Sequence, residues 1–181
     1  MKYRITKIKA PFIILITLIL SLQISFLSNC YSQNFTLKND LKRDVITFIK
    51  VKNLIVIPIF INGKGPYNFL LDTGVSPLIV TDPSLIGNFN TDGLRSFKIN
   101  GVGDGAEIDV LLANNVQVDV GKASIENIPT VVLKEEIFNF SNYLGIKVHG
   151  IIGYYFFKSF LVKINYQTNR LVFEQPGLSK K

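Results

Sequence analysis

Tryptophan is absent from this 181-residue chain, and methionine, histidine and cysteine occur once each. A single His149 and a single Cys30 cannot furnish a cysteine-rich metal site or a histidine-centred relay. If the chain is cleaved after Ser32 no cysteine remains, so stability rests on core packing rather than a disulfide. Charge of either sign is also sparse. The formal net charge is +7, but Lys2, Arg4, Lys7 and Lys9 supply four of the 20 basic residues, leaving 16 basic against 13 acidic from Gln33 onward. That balance, without basic residues clustered among aromatics, argues against nucleic acid as a partner.

The basic start runs into PFIILITLILSLQISFLSNCYSQ, a positive region, an apolar run and a small-residue exit. This is the pattern of a secretory signal. Residues 1–32 are expected to be a signal peptide cleaved after Ser32, a leader processed at Cys30 for lipid attachment, or a retained membrane anchor. Each places the folded part outside the cytoplasm: periplasmic, envelope-attached or extracellular. Membrane contact is expected only through this segment, if it is retained or lipidated.

The remaining length suits one domain. Residues 33–52 are set apart as an N-terminal extension, a polar stretch leading into alternation around Val45 to Val51. The stretch LIVIPIFINGKGPYNFLL reads as a hairpin turning across residues 62–66. Pro58 argues against a wholly regular central strand there. Thr81, Asp82, Pro83 and Ser84 can cap a short helix or turn. Val116, Val118 and Val120 fall on one strand face, with Gln117 and Asp119 on the other. Gly121 closes a turn, and Gly101, Gly103 and Gly105 suit a hairpin tip.

Within residues 134–149, Phe138, Phe140, Tyr143 and Leu144 are expected to supply core contacts. Tyr154 to Phe160 reads as a short aromatic-packed helix, followed by a hairpin of LVKINY and RLVFE. Strands joined mostly by turns predict an all-β fold, a small closed barrel with one or two short helices. Residues 175–181 form a tail.

Several chemistries lack their motifs. The glycine-bearing stretch has no following Lys-Ser or Lys-Thr, so it is not a phosphate loop. Asp104, Glu107 and Asp109 lack calcium-loop spacing. Ser76, Ser84 and Ser96 stand outside any covalent-catalysis motif. His149 has no accompanying ligands, and its reading is structural. No cofactor or metal is expected.

What remains is FLLDTGVSPLIV, where Asp72 interrupts two apolar runs. A carboxylate beside buried strands is costly unless hydrogen-bonded or used. Two apolar residues before Asp-Thr-Gly, a glycine-bearing hairpin after it, and HGIIG nearer the C-terminus resemble the retroviral-protease-like (retropepsin-like) aspartic proteases, particularly their bacterial secreted relatives. The resemblance spans residues 53–174. It implies an aspartic endopeptidase with Asp72 as catalytic carboxylate, Thr73 supplying hydroxyl hydrogen bonds to the active-site loops, and Gly74 permitting close backbone approach. It further implies support of the loop by Ile151, Ile152 and Gly153, a flap near Gly101, Gly103 and Gly105, and a peptide or protein substrate. Only one Asp-Thr-Gly occurs, so the resemblance implies a homodimer. A noncatalytic protease-like domain for peptide binding or assembly is the alternative. Val75 stands where this family usually has Ala or Ser, and Asn165 where bacterial relatives often carry Asp.

Overall fold

The computed structural model describes residues 33–90, 93–100 and 107–177. The leader and the last four residues therefore lie outside the described residues. Within the compact unit that begins at Gln33, the chain forms β1 (Thr36–Leu37), a 3-10 turn (Lys38–Asp40), β2 (Arg43–Thr47), β3 (Ile49–Val51), β4 (Leu54–Ile61), β5 (Lys64–Leu71) and β6 (Leu78–Val80). A second 3-10 turn (Pro83–Asn88) leads to β7 (Arg95–Asn100), β8 (Glu107–Ala113), β9 (Val118–Val120), β10 (Ala123–Ile125) and β11 (Thr130–Leu133). The last elements are α1 (Phe140–Leu144), β12 (Gly150–Ile152), α2 (Tyr154–Ser159), β13 (Leu161–Asn165) and β14 (Arg170–Glu174).

The larger sheet runs β1-β10-β9-β4-β5-β12-β6-β11-β8-β7, with β3 on β4, and the smaller one runs β13-β14-β2. Mostly β with two short α-helices is thus the architecture among the described residues. Among the described residues the pairing path nevertheless has two ends, because the two-residue β1 bonds only to β10 and β7 only to β8. The described pairing therefore does not close the expected barrel.

The β4–β5 hairpin turns on Asn62 and Gly63 alone, both at positive φ (49° and 75°). This is the backbone that favours Asn-Gly in two-residue turns. The expected turn extended to residue 66, whereas Lys64, Gly65 and Pro66 already belong to β5. Pro58 sits in β4 where β3 has ended and β9 has not begun. It pairs only with Asn68 of β5, whose N–H and C=O both bond to His149. A residue without an N–H therefore costs no ladder bond at that position.

The segment expected as an extension, 33–52, is woven into both sheets: β1 pairs β10, β2 pairs β14, and β3 pairs β4. Phe35, Leu37 and Phe48 from it are buried, so residue 53 is not where the folded unit starts. Ser159 Oγ anchors the beginning by accepting the Phe35 N–H at 2.8 Å. The main core joins Ile57, Ile59, Phe69, Leu78, Val80, Val132 and Ile152 to an aromatic group of Phe35, Phe156, Phe160 and Phe173. A smaller cluster on the other side of the sheet holds Val56, Leu70, Leu144 and Val148, with Ile151 and Phe140 against it. Phe138 and Tyr143, expected in the core, are 46% and 63% exposed. Phe138 instead stacks on Phe140, and the Lys52 ammonium lies 3.9 Å from the Tyr143 ring centroid.

Candidate active site

Asp72 follows directly on β5 and begins a loop, residues 72–77, that ends at β6. The strands on either side of the loop do not pair with each other. β12 lies between them, parallel to β5 (Ile151↔Leu70, Ile152↔Leu71) and antiparallel to β6 (Ile151↔Ile79). Buried from both edges, β12 needs apolar side chains on both faces. Ile152 enters the main core and Ile151 the smaller cluster.

The loop is tied down through its backbone. Asp72 N–H donates to Ile152 C=O at 2.9 Å, Tyr154 N–H donates to Val75 C=O at 2.8 Å, and Val75 N–H reaches Asp72 C=O at 3.3 Å. Val75 makes these bonds with its main chain, so they do not require Ala or Ser. Gly153 passes so close beneath that a Cβ there would overlap the Asp72 carbonyl. Ile152 and Gly153 thus touch the Asp72 loop directly, while Ile151 pairs with Leu70 and Ile79 in the strands that flank it.

The carboxylate is oriented locally. Gly74 N–H donates to Asp72 Oδ1 at 2.9 Å, a charge-assisted bond of the stronger kind. Asp72, Thr73 and Gly74 are exposed in the single chain, although Leu70 before them and Leu78 after them are buried. Among the described residues neither the Thr73 hydroxyl nor Asp72 Oδ2 has a hydrogen-bond partner. Hairpin β7–β8 pairs as far as Asn100↔Glu107. Gly101, Gly103 and Gly105, expected near a flap, lie outside the described residues.

Two contributors went unread in the sequence. Gly150 is as confined as Gly153, since a Cβ would strike the Ile79 carbonyl and the Phe69 ring. The signal was the pair of glycines bracketing Ile151 and Ile152. The other is the cluster of Asn68, Asp82, Lys147 and His149 at the far end of β12. Asn68 N–H donates to His149 Nδ1 at 3.1 Å, and Asn68 Nδ2 donates to Lys147 C=O at 2.9 Å. Asp82 caps the 3-10 turn through Ser84 N–H and lies 2.8 Å from Lys147 Nζ. Burial opposes ionisation of Asp82, but Lys147 and Ser84 outweigh it and hold its pKa below the usual carboxylate value. Burial lowers the pKa of His149. Among the described residues no three His, Cys, Asp or Glu side chains converge to hold a metal ion.

The sequence model of the family described as aspartyl protease matches residues 57–156, which takes in the Asp72 loop, β12 and the start of α2. The chain belongs to the aspartyl protease family. Among solved structures it is similar to a retropepsin-like aspartic protease from Rickettsia conorii, with 17% identity over 80% of this chain and 96% of that one, at a TM-score of 0.50. At that identity the likeness speaks for the fold, which is retropepsin-like. No curated protein matches. The matched residues include the Asp-Thr-Gly triplet, lodged between strands that a third strand holds apart.

Proposed function

We propose that this protein is an aspartic endopeptidase whose active unit is a homodimer, each copy contributing Asp72. The observation that carries this reading is the Asp72 loop: anchored from beneath by β12, oriented by Gly74, yet exposed in the single chain. One carboxylate cannot be base and acid at once. Two brought together by a two-fold axis share one proton and titrate as a pair. The ionised member takes a proton from water, and the protonated member donates to the scissile carbonyl. Thr73, beside Asp72 and exposed, would bond across the interface. An extended peptide would lie between the lobes under the β7–β8 hairpins. The leader would deliver the enzyme to the periplasm, envelope or exterior.

The test is peptide-library cleavage by the purified protein and by Asp72→Asn from acidic to neutral pH, with sedimentation at assay concentration. Asp72→Asn should lower turnover about 10²–10⁴-fold, the worth of a positioned acid–base group. Equal cleavage by both proteins would sink the catalytic assignment. Full activity in a strict monomer would sink the shared pair. Peptide binding without turnover would favour the noncatalytic reading.

A further inference from the structure

His149 stands at the head of β12, two residues before Ile151, and its backbone N–H, its C=O and its ring Nδ1 all serve strand placement. Its N–H donates to Asn68 C=O at 2.8 Å, and its C=O accepts from Thr81 N–H at 2.9 Å and Asp82 N–H at 3.3 Å. It therefore bonds to β5 on one side and to the segment after β6 on the other. The ring adds a further bond, accepting the Asn68 N–H at Nδ1 (3.1 Å). A nitrogen that accepts carries no proton, so this geometry requires the neutral ring with its proton on Nε2. Protonation at Nδ1 would set two N–H donors face to face.

We propose that His149 is a pH-sensitive positioning residue for the Asp72 loop: its neutral ring holds Asn68 and thereby the β5–β12 ladder, and the imidazolium releases that hold. From Asn68 the ladder runs through Phe69↔Gly150 and Leu70↔Ile151 to Leu71↔Ile152, one residue short of Asp72. Loss of the Asn68 bond frees the start of the register on which the Asp72–Ile152 bond depends.

The groups facing the ring act in different directions. Burial, the largest influence, disfavours the imidazolium; the Asn68 backbone and the Asp82 carboxylate favour it, and the Lys147 ammonium opposes it. The Tyr67 ring packs against it at 5.2 Å. With the folded pKa depressed, the hold is complete above the ordinary histidine value of about 6.5. It is lost as pH falls through the lower folded value.

The kinetic consequence rests on the aspartic protease reading, but the structural claim does not. His149 is the chain's sole histidine, so its ring ¹⁵N signals need no assignment. They are followed in the full protein from about pH 8 to about pH 4, together with the Asn68 amide. The expected result is an Nε2–H tautomer at neutral pH and an Asn68 amide that shifts with the ring's midpoint. An Nδ1–H tautomer, or an Asn68 amide indifferent to the titration, overturns the proposal.

In kinetics, His149→Asn keeps a neutral acceptor at the δ position, whereas His149→Leu keeps none. Wild-type kcat should fall about tenfold relative to His149→Asn as the ring protonates, with little change in KM, and His149→Leu should be about tenfold low at every pH. Superimposable pH profiles for wild type and His149→Asn overturn it. Linked NMR titrations without peptidase activity in any variant would support the positioning role while the protease reading fails. Activity with an indifferent Asn68 would overturn the positioning role alone.

Discussion

Replacing Gly153 by Ala tests how the Asp72 loop is held. Gly153 has φ −159° and ψ −93°, a pair that is neither extended nor helical, so the contacts of an added methyl are counted here apart from any backbone cost. The added Cβ would overlap the Asp72 carbonyl oxygen, with the carbonyl carbon at 2.7 Å and Val75 O at 3.0 Å. Ordinary carbon contacts lie near 3.5–4.0 Å, so the carbonyl carbon alone requires a retreat of about 1 Å and the overlapped oxygen requires more. Overpacking of this kind costs about 1–3 kcal/mol. The retreat also strains the Asp72–Ile152 and Tyr154–Val75 hydrogen bonds at 2.9 and 2.8 Å, each with a net worth of about 1 kcal/mol. A loss of about 3–5 kcal/mol follows, a large part of the stability of a domain this size. A displacement of about 1 Å or more at the carboxylate should in addition lower kcat/KM by at least about 10²-fold. Urea unfolding and peptidase kinetics measure the two effects. Gly87→Ala serves as control, because nothing lies within 4 Å of its Cβ position. A Gly153→Ala protein as stable and active as the Gly87→Ala control would refute this account of the loop.

Other positions test the surroundings. Phe156 is fully buried, with ring centroids of Phe35, Phe160 and Phe173 at 5.6, 5.4 and 5.1 Å. Phe156→Ala should cost about 3–5 kcal/mol in chemical denaturation; a loss under about 1 kcal/mol would mean the helix is not seated as described. Asp82→Asn bears on pH dependence. Because the folded pKa of Asp82 is depressed, its contribution is complete above the ordinary carboxylate value of about 3.9 and lost as pH falls through the lower folded value. The variant should be about 1 kcal/mol less stable at neutral pH. That difference should shrink in strong acid, and one constant across the whole range would contradict the ion pair.

Local pattern carried much of the fold into the sequence. Asn62-Gly63 announced its hairpin, Asp82-Pro83 its capped turn, and the aromatic run 154–160 its helix. Asn165 joins this group: its Oδ1 accepts Gln167 N–H and Thr168 N–H at 3.0 and 3.1 Å. Asn thereby provides the acceptor that Asp could offer, and the β13–β14 hairpin needs no charge there. Phe138 and Tyr143 misled because an aromatic ring can settle on another ring or beneath an ammonium at the surface. Residues 33–52 misled for a different reason: their partners in β10 and β14 lie far along the chain, and the alternation around Val45 to Val51 does not say what it pairs with.

The candidate site divides along the same line. Orientation of the carboxylate is local, from Gly74 two residues away. Its position is not: the Asp72–Ile152 bond and the Asn68–His149 bond each span about eighty residues. Spacing within Asp-Thr-Gly cannot specify those contacts, and Ile151-Ile152 reads equally well as ordinary core. Only the confined glycines at 150 and 153 distinguish it, because a strand inserted between β5 and β6 must pass two main chains too closely for a side chain. The triplet therefore sets how Asp72 points, and HGIIG sets where it stands.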